Sequence, residues 1–253
     1  MDRRLIVRLI VVLVVMVGAA VYFGFRPDPT PIPGTLTGTA TIADPYVEHT
    51  QAYDIVANYP TTTPLSAKAN KTAVETMQGW VIDTVSQFKN DGASSQGRKL
   101  SLQIVYLISS SPHTVSYIFT TSEDTGGAHP NSFFTTFTFD TDPSTGSTHS
   151  TSSGQAGSVL ALADLFVPGA DYLGTLSHIA RAKLPALIGQ YADQKMIADG
   201  TAPNTKNFQN FFVDNATLAI LFDPYTVASY AVGPQTLQIP ISDLSSILKS
   251  EYK

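Results

Sequence analysis

Apolar and polar residues alternate along several short stretches of the chain, and this period of two predicts β-strands. The pattern runs through residues 53–59, 99–109 and 132–140, and another strand begins at Val115. A turn at residues 110–113 separates the strand that starts at Lys99 from the one that starts at Val115. The last three strands follow one another closely, so they predict an antiparallel meander.

Apolar residues at steps of three and four predict two long helices. The first covers residues 65–90, with Thr63 as its N-cap and Pro64 at the first helical position. The second begins at about Asp171 and is predicted to kink at Pro185, because proline cannot donate a backbone hydrogen bond. Both helices have one apolar face that must pack against other elements.

The rest of the pattern predicts a hairpin, a short strand and a terminal helix. Residues 208–213 and 217–222 flank a turn and form the hairpin, and residues 237–240 form the last strand. Ser242 is predicted to cap a C-terminal helix. Between the two long helices, residues 141–158 are rich in Ser, Thr and Gly, which is typical of a mobile loop.

The longest apolar run covers residues 5–25 and is interrupted only by Arg8. As a helix rising about 1.5 Å per residue it would span roughly 31 Å, close to the hydrocarbon thickness of a bilayer. Because Arg3, Arg4 and Arg8 lie at its N-terminal end, the positive-inside rule predicts a single-pass protein of the cell membrane with a cytoplasmic N-terminus and an extracytoplasmic C-terminal domain. A cleaved signal peptide is the alternative, since residues 18–20 are small.

These patterns divide the chain into five segments. Residues 1–4 form a cytoplasmic tip, residues 5–25 the transmembrane anchor, and residues 26–43 a Pro/Thr/Gly-rich stalk with extended polyproline geometry. Residues 44–98 form the N-terminal lobe of the exported domain, and residues 99–253 its C-terminal lobe. Since strands and helices are segregated along the chain, the predicted fold is α+β: an antiparallel sheet with helices packed on one face, preceded by one transmembrane helix.

Composition excludes several kinds of function. The chain has 15 basic and 20 acidic residues and a net charge of -5, so nucleic acid is not expected as a partner. With no cysteine, thiolate metal sites and cysteine nucleophiles are absent. The 5 histidines are scattered without HxH or HExxH spacing, so neither a metal nor a cofactor is predicted.

Three stretches carry a resemblance to a known family: TGGAHPN at residues 125–131, LADLFVPGADYL at 162–173 and LFDPYTVASYAVGPQTLQIPISDLSSIL at 221–248. In this order they resemble the extracytoplasmic domain of unknown function of RsiV-type anti-sigma factors and PdaC-type peptidoglycan deacetylases. The earlier YDIVANYP at residues 53–60 resembles the small domain that precedes it. The resemblance implies a mixed α and β fold outside the cytoplasm.

The same resemblance implies possible partners. In the anti-sigma factors this domain binds lysozyme, and in the deacetylases it accompanies a separate catalytic domain. The predicted cytoplasmic tip of residues 1–4 is too short to hold a sigma factor, and the sequence resembles no deacetylase domain. Neither effector activity is therefore expected. Lysozyme-like hydrolases and peptidoglycan remain as expected partners, together with the membrane.

Candidate ligand-binding residues come from the Gly-Gly-Ala-His-Pro loop and from tyrosines near a later loop. They are Gly126, Gly127, His129, Asn131, Tyr225 and Tyr230. Imidazole and phenol groups can pack against a ligand and also exchange hydrogen bonds with it. The alternatives are structural: a turn that needs unusual backbone angles, and a packed corner between strands.

The sequence therefore favours a membrane-anchored binding module of the cell envelope. The alternative is a cell-envelope hydrolase with an unrecognised site: no GxSxG motif is present, but a Ser-His-Asp triad could still form in three dimensions. A structural envelope subunit is the third possibility. No catalytic residue is assigned, and binding is preferred over catalysis.

Overall fold

The structure, a computed structural model, describes residues 45–92, 97–141 and 157–253. The predicted transmembrane segment, the stalk and most of the Ser/Thr/Gly-rich loop lie outside these ranges. Within the described ranges, no helix combines the length and the hydropathy needed to cross a bilayer.

The described residues form eight strands and four α-helices. The strands are β1 (Tyr46–His49), β2 (Tyr53–Ala57), β3 (Leu100–Ser110), β4 (Thr114–Asp124), β5 (Asn131–Asp140), β6 (Phe211–Val213), β7 (Thr217–Phe222) and β8 (Gln235–Pro240). The helices are α1 (Ala67–Gly92), α2 (Tyr172–Ile188), α3 (Gln194–Gly200) and α4 (Ile241–Leu244). The α+β class predicted from the sequence is confirmed.

The first sheet has the order β1-β2-β3-β4-β5. Its β3-β4-β5 part is the predicted antiparallel meander, with Tyr106 opposite Phe119 and Phe119 opposite Thr135. The pair β2–β3 is parallel, so the expectation of a wholly antiparallel sheet is wrong there. The reason is α1, which connects the two strands as a crossover; two strands joined by a crossover helix run in the same direction. These two strands lie on either side of the predicted boundary between residues 98 and 99.

The second sheet has the order β6-β7-β8 and packs face to face against the first. Ile118 and Phe134 of the first sheet contact Phe212, Ala219 and Leu221 of the second. The predicted single sheet is therefore wrong, and two sheets form the centre of the domain.

Each sheet is covered on its outer face by a different helix. The apolar stripe of α1, including Met77 and Val81, packs with Leu102 and Ile104 of the first sheet. Helix α2 contributes Leu176, Ala180 and Leu184 to the core of the second sheet, which also contains Ile220. The layers run helix, sheet, sheet, helix, so the prediction that the helices share one face is wrong. Helical and strand periodicity identify an apolar face but not the element that covers it.

The start of α1 differs from the prediction. The helix begins at Ala67, and Thr63 is not its N-cap. The Thr63 hydroxyl instead donates to Asn70 Oδ1 at 3.0 Å, so Asn70 reaches back and holds residues 63–66 in a turn before the helix. The start of α2 matches the prediction, because Asp171 accepts a hydrogen bond from the Gly174 N–H at 2.9 Å. This helix continues through Pro185 to Ile188.

The predicted C-terminal helix capped by Ser242 is reduced to the single turn of α4. After α4 a turn leads to Leu248, which forms an isolated antiparallel bridge with Phe166. There the Val167 N–H donates to Ile247 O at 2.9 Å and the Lys249 N–H donates to Leu165 O at 3.0 Å. Leu248 is buried in this pairing. Backbone hydrogen bonds with a segment about 80 residues away therefore replace those that a longer helix would have made.

Candidate functional site

The loop between β4 and β5 carries His129 and is built on an aspartate. Asp124 Oδ1 accepts a hydrogen bond from the Gly126 N–H at 2.9 Å, and Asp124 Oδ2 accepts one from Arg98 at 2.7 Å. Gly126 has φ +87°, a region in which glycine carries no penalty. The Gly126 position therefore turns the chain so that the exposed His129 is presented at the end of the two long strands.

A second loop follows β7 and carries Tyr225. Its turn is closed by the Thr226 N–H donating to Asp223 O at 3.1 Å and the Tyr225 N–H donating to Ala228 O at 3.0 Å. Tyr225 has φ +67°, the one positive value for a non-glycine residue in the described part of the chain. This left-handed backbone costs a tyrosine roughly 1–2 kcal/mol. Since the side chain is 57% exposed, burial of the ring does not offset that cost.

Three rings from these loops meet to form a surface that we name the aromatic cluster: His129, Tyr225 and Tyr230. His129 stacks on Tyr230 with ring centroids 3.9 Å apart and planes inclined by 23°. Tyr225 lies beside both rings, with its centroid 5.7 Å from Tyr230 and 6.4 Å from His129. The three planes are inclined to one another by no more than 32°. The cluster therefore presents several nearly parallel ring faces at the surface.

Hydrogen bonds hold the cluster in place and define the histidine tautomer. Pro130 O accepts hydrogen bonds from the Tyr230 hydroxyl at 2.7 Å and from His129 Nδ1 at 3.0 Å. A carbonyl can only accept, so Nδ1 carries the proton in this arrangement. His129 Nε2 is then the acceptor for the Tyr225 hydroxyl at 3.4 Å. The rings are thus linked by polar contacts as well as by stacking.

The structure brings together three of the six residues singled out from the sequence, although His129 and Tyr230 are 101 positions apart. Gly126 shapes the loop, and Gly127 is exposed in that loop. Asn131 opens β5 opposite Glu123 and donates a hydrogen bond to its carboxylate. Burial raises the pKa of Glu123, and the Asn131 hydrogen bond opposes that rise.

Asp223, which the sequence analysis did not assign to the site, anchors the second loop. Its Oδ1 accepts a hydrogen bond from the Phe134 N–H at 2.7 Å, which ties the loop after β7 to strand β5. Burial raises the pKa of this carboxyl, and the bond from Phe134 only partly offsets the rise. Asp223 directly follows the apolar strand β7, and such a position at a strand end was the available sequence signal.

Replacement of Asp223 by asparagine is expected to remove a pH dependence of stability. Because its pKa is raised above the ordinary value of 3.8, the folded state holds this proton more tightly than the unfolded chain. The contribution is fully present at acidic pH and is lost as pH rises through the raised pKa. In denaturant titrations, Asp223→Asn should therefore gain stability relative to the parent as the pH rises above the ordinary value of 3.8 and through the raised pKa.

Asp83→Asn on the exposed side of α1 is the control for that experiment. This variant removes a carboxylate that is exposed to solvent. The explanation by burial is wrong if the two variants show the same pH trend.

No group of three His, Cys, Asp or Glu side chains converges as metal ligands within residues 45–92, 97–141 and 157–253. What the aromatic cluster offers chemically is contact area, together with phenol and imidazole groups that can donate and accept hydrogen bonds. Such a surface is suited to binding.

Comparison with known proteins identifies a shared domain. The family described as "Protein of unknown function (DUF3298)" matches residues 163–242, which include Tyr225 and Tyr230 but not His129. Peptidoglycan-N-acetylmuramic acid deacetylase PdaC of Bacillus subtilis (strain 168) is 34% identical over 139 residues, which are 55% of this chain and 27% of that protein. The chain thus matches about a quarter of the length of that relative.

Two solved structures have a similar fold. A DUF3298 family protein from Pseudomonas aeruginosa PAO1 aligns with a TM-score of 0.55 and 16% identity over 83% of this chain and 91% of its own. A member of the same family from Bacteroides fragilis NCTC 9343 aligns with a TM-score of 0.52 and 16% identity over 78% and 85%. The chain therefore carries a domain of unknown function shared with PdaC, as predicted, while the relation to RsiV-type proteins stays a prediction.

Proposed function

We propose that this chain is a binding module of the cell envelope that holds the glycan strands of peptidoglycan on its aromatic cluster. The observation that carries the proposal is the stack formed by the exposed His129 and Tyr225 with the half-buried Tyr230. The C–H faces of pyranose rings pack against aromatic rings, and the phenol and imidazole groups at the edges can exchange hydrogen bonds with sugar hydroxyls.

Two further observations support a binding role. Tyr225 keeps a strained backbone although its ring is largely exposed, and strain retained at a surface residue is characteristic of functional sites. The relative PdaC is a deacetylase of peptidoglycan by its name, and a cell-wall association fits a shared domain. The module would meet this polymer outside the cytoplasm if residues 5–25 anchor it in the membrane as predicted.

Co-sedimentation of the full-length chain, in detergent, with purified insoluble peptidoglycan tests the proposal. We expect the chain to appear in the pellet with peptidoglycan and to remain in the supernatant with cellulose, a polymer without acetamido groups or peptides. Equal recovery with both polymers would mean that the contact is not selective. Immobilised lysozyme is the third arm. Retention by lysozyme without retention by peptidoglycan would contradict glycan binding and would mean that the ligand is a protein.

A further inference from the structure

A polar cavity of about 210 Å³ lies beside the loop that carries Tyr225. Its wall includes Lys206, Gln209, Asp223 and Thr226, and the apolar chain of Leu221 closes one side. Asp223 and Thr226 flank Tyr225 in one turn, joined by the 3.1 Å bond between the Thr226 N–H and Asp223 O. The same loop thus contributes residues to both the cavity and the aromatic cluster.

The cavity brings together opposite charges that do not pair with each other. Lys206 is exposed, and among the described residues neither Lys206 nor Asp223 takes part in an ion pair. Asp223 uses Oδ1 to accept from the Phe134 N–H, which leaves Oδ2 for another donor. An ammonium group and a half-buried carboxylate, held apart across a cavity, fit a ligand that carries both an anionic group and an N–H donor.

Three amide side chains line the cavity, and hydrogen bonds to the protein hold two of them in place. Asn207 Nδ2 donates to the backbone O atoms of Asp199 and Ala202 at 3.0 Å, and Asn210 Nδ2 donates to Phe134 O at 3.0 Å. These bonds make the two asparagines a rigid part of the wall. Gln209 has no side-chain hydrogen bond within the described part of the chain, so its amide is available to a ligand.

The size of the cavity limits the ligand. At about 210 Å³ it is smaller than the roughly 300–1,000 Å³ of pockets that enclose drug-sized molecules. A disaccharide does not fit inside, whereas one amino-acid residue does. A carboxyl-terminal residue supplies a carboxylate for Lys206 and a peptide N–H for Asp223.

We propose that this cavity, the stem pocket, binds the carboxyl-terminal residue of a peptide stem attached to the glycan. The inference rests on the proposed function, because the aromatic cluster holds the sugar ring from which the stem projects. Lys206 binds the terminal carboxylate, Asp223 accepts the peptide N–H, and Gln209 bonds to the remaining peptide groups. The ligand of the whole site is then a glycan with its peptide, and not a bare polysaccharide.

Isothermal titration of the full-length chain with three synthetic probes tests this assignment. The probes are the N-acetylglucosamine–N-acetylmuramic acid disaccharide with its lactyl carboxylate capped as a methylamide (the bare disaccharide), the same disaccharide with a dipeptide ending in a free carboxylate, and the latter compound ending in a carboxamide. We expect the carboxylate probe to bind about tenfold more tightly than the other two, the gain typical of one charge-assisted hydrogen bond. Lys206→Ala should abolish that tenfold difference and leave binding of the bare disaccharide unchanged.

Lys71→Ala is the matched control, because Lys71 is an exposed lysine on α1 and should change no affinity. If all three probes bind equally and Lys206→Ala changes none of them, the stem pocket is rejected while glycan binding stands. If Lys206→Ala weakens the bare disaccharide as much as the carboxylate probe, Lys206 belongs to the sugar site and the assignment also fails. If no probe binds, the proposed function itself is wrong.

Discussion

Replacement of Tyr230 by alanine is expected to weaken binding to peptidoglycan by at least about tenfold, or roughly 1.4 kcal/mol. The ring of Tyr230 supports His129 at a centroid distance of 3.9 Å, and its hydroxyl donates to Pro130 O at 2.7 Å. Truncation removes one ring face and also releases the loop that positions His129. Co-sedimentation at graded protein concentrations gives the apparent affinity of parent and variant.

Two further variants separate the contributions. Tyr230→Phe keeps the ring and loses only the bond to Pro130, so its affinity should lie between those of the parent and Tyr230→Ala. Tyr191→Ala is the matched control, since Tyr191 is 66% exposed and lies outside the cluster. An equal loss of affinity in Tyr191→Ala would show that the assay measures nonspecific adsorption through exposed aromatic residues, and it would contradict the role assigned to Tyr230.

Substitution of Gly200 by alanine is expected to destabilise the domain and to disturb the site from a distance. Gly200 ends α3 and is buried against the loop that carries Tyr225. A Cβ atom there would lie 2.0 Å from Thr226 O and 2.7 Å from its carbonyl carbon, well inside van der Waals contact. The backbone must shift, because neither atom belongs to a flexible side chain. Overpacking of this kind costs about 1–3 kcal/mol, seen as a lower denaturant midpoint.

Gly79→Ala provides the comparison. Gly79 lies in the middle of α1, and a Cβ atom there would meet nothing within 4 Å. Alanine should therefore stabilise the helix by about 0.5–1 kcal/mol. Binding to peptidoglycan should fall in Gly200→Ala and remain in Gly79→Ala. A Gly200→Ala protein with the midpoint and affinity of the parent would show that the loop moves freely and does not hold the cluster.

Much of the secondary structure could be predicted because its causes are local. The strands β3, β4 and β5 follow directly from residue alternation. The N-cap of α2 follows from Asp171, whose carboxylate accepts a hydrogen bond from the backbone N–H three residues later. The predictions were wrong where another partner competed for the same polar groups. Asn70 moved the start of α1, and the bridge between Phe166 and Leu248 ended the turn that follows α4.

The candidate site was predictable only in part. Aromatic and glycine-rich loops marked His129, Tyr225 and Tyr230 as candidates, yet no pattern in the sequence places residues 96 to 101 positions apart next to one another. Asp223 was not predicted as a site residue because its role depends on the N–H of Phe134, which is 89 positions away. The stem pocket could not be predicted from the sequence for the same reason, since its lining residues come together only in the folded chain.

For this protein the sequence alone determined the apolar composition of residues 5–25, the α+β class, the types of most helices and strands and the shared domain, because periodicity and short-range capping are encoded within a few residues. Only the tertiary structure decided that two sheets pack face to face between two helices, that β2 pairs in parallel with β3, and that His129 stacks on Tyr230. These outcomes depend on which apolar faces and unpaired backbone groups satisfy one another across the folded chain, and that choice is made among distant segments.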